Sequence, residues 1–113
     1  MPSTFDLNCL VLGDDPGRVF PVKIAASESV GILRKLIKDE KKPAFDHVDA
    51  DTLVLWKVSI PVDKSFKESL SRNDFVEEHQ VEPMQELVDI FTEPLVKKHI
   101  HIMIKAPPIG AFL

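Results

Sequence analysis

The chain has 113 residues, 44% hydrophobic and 28% charged, a balance that suits one globular domain and leaves little room for two. Its formal net charge of −4 argues against general nucleic-acid binding, which draws most of its affinity from neutralised phosphates. Cys9 is the only cysteine, which excludes an internal disulfide, and no apolar run approaches the ~20 residues of a membrane span.

The start, Met1-Pro2-Ser3-Thr4-Phe5-Asp6, shows no basic stretch leading into an apolar core, so no cleavable signal peptide is visible. Residues 5–12 alternate as a strand, with Leu7, Cys9 and Val11 on one face and Asn8, Leu10 and Leu12 on the other. Asp14-Asp15-Pro16-Gly17 predicts a type II turn with Gly17 at positive φ. Residues 18–24 form a second strand, completing a hairpin. Phe20, Val22 and Ile24 share a face, and Pro21 demands an edge or an irregularity because it cannot donate to a ladder.

The clearest helix follows. Ser27 or Ser29 caps it, and Val30, Leu33, Leu36 and Ile37 fall at helical spacing. Arg34, Lys35, Lys38, Lys41 and Lys42 fill the remaining face and the C-terminal end, where positive charge suits the helix dipole, and Pro43 stops it. Residues 53–60 read as a strand closed by Pro61, and residues 65–71 as a short helix or turn. The chain then becomes acidic up to Pro94. Within that stretch Pro83 suits the first turn of a helix whose Met84, Leu87, Val88 and Phe91 share a face. Residues 98–105 alternate strictly, with Ile100, Ile102 and Ile104 inward and His99, His101 and Met103 outward.

Strand, strand, helix, strand, short elements and strand make an α+β two-layer domain, with one main helix across a mixed sheet plus a short extra helix. The long last connection lets the final strand run beside the first, which is the ubiquitin-like β-grasp plan. The folded unit is expected to cover residues 1–105, with an irregular tail at 106–113.

No catalytic, cofactor or metal site is legible. His99 and His101 point the same way, but no third ligand or supporting Cys/His cluster accompanies them. Asp46, Asp49 and Asp51 lack the glycine and the closing glutamate of a calcium loop. No Gly-x-Ser-x-Gly elbow or Gly-rich phosphate loop exists, and Cys9 sits among apolar residues where a thiol is inert packing. The expectation is no enzyme and no cofactor.

Protein partners are expected instead, with self-association through a free sheet edge as one mode. The candidate interaction face comprises Val54, Trp56, His99, His101 and Met103, since Trp and Met are enriched where proteins meet. Two states of this face stay open. Either it is bare, or the acidic segment folds back over it with Met84, Leu87 and Phe91.

The stretches at 7–13, 20–24, 29–33, 49–51 and 53–61 together resemble the N-terminal domain of Crinkler effectors. That family's Leu-x-Leu-Phe-Leu-Ala-Lys motif maps onto Leu53, Leu55, Trp56, Lys57 and Val58, with Trp replacing Phe as in fungal members. The resemblance implies a header domain associated with secretion and entry into host cells, where attached regions act in cytoplasm or nucleus. If Leu53 and Leu55 are core residues, their loss harms folding before entry. Ubiquitin-like conjugation is not expected, because residues 109–113 offer no paired glycines. The alternative is an intracellular ubiquitin-like scaffold with no host role.

Overall fold

The structure, a computed structural model, describes residues 3–42, 44–46, 48–71 and 80–106. Its elements in chain order are β1 (Thr4–Val11), β2 (Phe20–Ala25), α1 (Val30–Glu40), β3 (Val54–Pro61), α2 (Phe66–Ser71), α3 (Leu87–Ile90) and β4 (His99–Lys105). The strands form one four-stranded sheet in the order β2-β1-β4-β3. β1 and β4 run parallel at its centre, and both outer pairs are antiparallel. With α1 packed on one face this is the β-grasp arrangement, an α+β fold.

Alternation decides which side chains meet α1. Leu7 and Cys9 of β1, Val22 and Ile24 of β2, Leu55 of β3, and Ile102 and Ile104 of β4 are buried in one cluster with Val30, Leu33 and Ile37 of the helix. Phe5 joins them and meets Phe91 edge to face, ring centroids 5.7 Å apart. Ser29 is the cap, accepting from the Ile32 amide at 3.4 Å. At the other end Lys41 reaches over the Phe20 ring, 5.1 Å from its centroid, and lies 3.9 Å from the Asp14 carboxylate. The first hairpin is thereby tied to the helix terminus.

The sheet has a second covered face. Leu10, Trp56, Val58, Ile60, Ile100 and Met103 pack with Phe66 of α2. The β3–β4 register shifts between Lys57 and Ile60. Beyond that bulge Ile60 and Ile100 are paired, and both belong to this second cluster rather than to the helix side. Ile100 therefore departs from the strict alternation expected of its strand.

Several local expectations change. Gly13, at φ 101°, takes the positive-φ position after β1, while residues 16–18 form a single 3-10 turn instead of a type II turn. Among the described residues, the acidic stretch yields a helix of only four residues, with Pro83 and Met84 in a turn before it. The reason is competition for hydrogen bonds. The carbonyls of Pro83 and Gln85 accept from Gly31 and Val30, and Glu86 forms a bridge with Ser29, which ties this stretch to the start of α1. Arg34, expected on the solvated face, is buried. Pro43 and the tail beyond Ala106 lie outside the described residues.

Truncating a side chain at the centre of the helix-side core tests this packing. Ile102→Ala should lower unfolding stability by about 2–5 kcal/mol in urea titration. Met84→Ala, at a site 92% exposed, should stay within about 0.5 kcal/mol of the parent.

Candidate functional site

Leu53, Leu55, Trp56, Lys57 and Val58 occupy the start of β3 and the residue before it. Period-two alternation sends Leu53 and Leu55 into the helix-side core and Trp56 and Val58 into the second cluster, so four of the five are buried. Lys57 alone is exposed. Its Nζ donates to the Ile90 carbonyl at 2.9 Å and lies 5.7 Å from the centre of the Phe91 ring. A receptor reading this stretch as an extended peptide would find most of its side chains inside the domain.

The wider candidate face is assembled by the β3–β4 register, which sets Trp56 opposite Met103. Trp56 is 3% exposed and Met103 fully buried, and Val54 packs against them half-buried. Of the two states left open for this face, the covered one holds, with the cover among the described residues coming largely from another segment. Phe66 and the half-buried Leu70 of α2 supply the cover, whereas Leu87 and Phe91 join the helix-side core and Met84 points to solvent. The backbone at residues 80–81 adds a short bridge to β3, with the Val81 amide donating to the Leu55 carbonyl at 2.9 Å.

The two histidines differ. His99 is half-buried, its Nδ1 2.8 Å from Ser59 Oγ. His101 was expected to face outward and is instead 5% exposed. The Asn8 amide donates to its Nδ1 at 3.0 Å, and its Nε2 lies 2.8 Å from the Val96 carbonyl. A ring nitrogen that accepts from an amide carries no proton, so His101 is neutral with its proton on Nε2, donated to Val96. Asn8 Nδ2 also donates to the His99 carbonyl at 2.9 Å. These bonds lie just before the parallel register of Cys9 with Ile102, and they continue the seam where backbone pairing stops. The one signal for Asn8 in the sequence was a polar side chain inside an apolar strand.

Beside this seam lies a cleft of about 620 Å³, walled by Thr4, Asp6 and Asn8 of β1, His101, and residues 91–98. Burial lowers the His101 pKa, the hydrogen bond to Val96 opposes that, and the neighbouring His99 adds to the lowering. Asp6, Glu93, Lys97 and Lys98 are the charged groups lining the cleft. Burial, and secondarily Glu40, push the Cys9 thiol far up, leaving it no thiolate at neutral pH. Among the described residues no group of three or more His, Cys, Asp or Glu side chains is placed to hold a metal ion. No helix there is long and apolar enough to cross a membrane.

Such a domain, a β-grasp sheet covered on both faces, belongs to the ubiquitin-like class of folds. Residues 5–105 match the Crinkler effector protein N-terminal domain, and the chain belongs to that family. It is 29% identical over 101 residues to a protein of Rhizophagus irregularis called Crinkler effector protein 1, covering 89% of this chain and 21% of that one. It is 34% identical over 119 residues to Crinkler effector protein 8 of Phytophthora infestans, covering 90% of this chain and 19% of that one. The chain thus spans about a fifth of the length of these curated relatives.

Two measurements check this site. Trp56→Ala should cost about 3–5 kcal/mol of stability in denaturant titration, as expected for a core aromatic, while Lys57→Ala costs far less. For His101 the folded pKa lies below the unfolded value of about 6.5, so the stability it brings is complete above that value. That share is lost as pH falls from about 6.5 through the folded pKa. Unfolding titrations between pH 7.5 and about 5 should show a decline that His101→Gln flattens.

Proposed function

We propose that this domain is the non-catalytic header of a secreted effector, a folded adaptor that carries an attached cargo out of the producing cell and into a host cell. Membership of the Crinkler N-terminal family carries the proposal, supported by relatives named as effectors that are about five times as long as the region they share with this chain. The unit proposed for this role spans residues 1–105, with 106–113 as a tail outside it. Its chemistry is recognition: a closed core, a buried thiol and a neutral, hydrogen-bonded histidine suit a binding surface better than a reaction centre.

The interaction face proposed for protein partners is the β3–β4 side of the sheet. Val54 and His99 are its accessible members, while Trp56, His101 and Met103 shape it from beneath. Leu53 and Leu55 contribute by holding β3 in place, so a defect in delivery on their substitution follows from loss of the fold. Self-association uses the same side or the outer edge at β2, where Pro21 and Lys23 discourage indiscriminate strand pairing.

Fusion of the chain to a reporter, expressed in the organism that makes it, tests the reading. Reporter signal is expected inside host cells, and a Leu55→Ala fusion should lose delivery together with protease resistance. Retention of the intact, folded fusion in the producing cell would instead favour an intracellular scaffold.

A further inference from the structure

Arg34 of α1 is only 8% exposed, yet its Nε has no hydrogen-bond partner. No ion pair engages it among the described residues, although buried polar groups are almost always satisfied. Arg34 lines a cleft of about 300 Å³ with Ser29, Lys35, Ala50, Asp51 and Pro83 among its walls. The helix amides are not available there. Val30 and Gly31 donate to the Gln85 and Pro83 carbonyls at 2.9 and 3.0 Å, and Ile32 donates to Ser29. Charge in the cleft is therefore supplied by side chains, and the buried atom that lacks a partner is Arg34 Nε.

We propose that this cleft is a socket for one carboxylate, presented by an acidic side chain of a partner protein. A planar carboxylate matches the fork of a guanidinium, and Lys35 in the same wall adds a second positive charge. Asp51 selects between oxyanions. Its charge repels a phosphate dianion about twice as strongly as a carboxylate monoanion, and it can accept from the N–H of the peptide that carries that carboxylate. The adjoining cleft, which shares Lys35 and Ala50, adds Lys38 and Lys42, although Asp39 lies 3.2 Å from Lys42 and Asp46 lines the same wall. Lys35 and Lys38 form no ion pair among the described residues and remain to attract an acidic segment. This surface is separate from the β3–β4 side, so the socket stands whether or not the domain is exported.

Titration of the isotope-labelled chain with N-acetylglutamic acid α-amide, followed by NMR, tests it. The Arg34 Nε–H signal and the amides of Lys35, Ala50 and Asp51 should shift saturably, while the matched glutamine amide gives at least a tenfold smaller response. Inorganic phosphate should bind several-fold more weakly than the glutamate probe, and Asp51→Asn, an exposed substitution, should narrow that gap. Arg34→Gln should abolish the shifts. Should that variant fail to fold, Asp51→Asn in the folded chain still decides. Equal responses to glutamate and glutamine probes, or an unchanged carboxylate-to-phosphate ratio in Asp51→Asn, would overturn the proposal.

Discussion

β4 is the strand around which everything else is arranged. It lies between β1 and β3, parallel to one and antiparallel to the other, and five consecutive residues, Ile100, His101, Ile102, Met103 and Ile104, are buried. A strand buried on both faces needs apolar cover on both sides of the sheet, since its backbone is paired and its side chains alternate. α1 supplies that cover on one side. On the other, Trp56 and Val58 of β3 pack with Met103 beneath α2. The small domain thus carries a three-layer organisation over part of its sheet, and the bulge between Lys57 and Ile60 brings Ile60 and Ile100 into the outer layer.

The parallel seam is also where the fold uses polar chemistry internally. Backbone register between β1 and β4 covers only Cys9 to Val11 against Ile102 to Ile104, and Asn8 and His101 extend it with side-chain bonds. A buried imidazole is tolerable because both ring nitrogens are engaged, one accepting and one donating. The bond to Val96 also fastens residues 91–98 against the sheet, so one histidine shapes the cleft beside the seam.

These constraints bear on what a short linear motif can mean in this family. Along β3 the recognisable residues are recognisable because they alternate between two cores, with Lys57 braced against the end of α3. Motif and fold are then one requirement, and substitution of the leucines reports on folding. Accessible chemistry lies elsewhere: at the rim of the seam cleft, and along α1, where Arg34, its buried Nε without a partner, lines a second cleft.

The amino-acid sequence by itself determined the order of the main strands and helix, the helix-side core and the family. Periods of two and near 3.6 leave a direct trace in where Leu7, Ile24, Leu33 and Ile104 fall. It also marked Trp56 as the residue whose surroundings mattered, without showing what lay over it. Tertiary structure alone decided that α2 covers Trp56, that the 83–86 stretch gives its carbonyls to α1 instead of coiling fully, and that His101 and Arg34 turn inward. Apart from the burial of Arg34, each of those outcomes depends on a contact with another element, Asn8 for His101 above all. Local periodicity records which face a side chain occupies, and only packing determines what lies against that face.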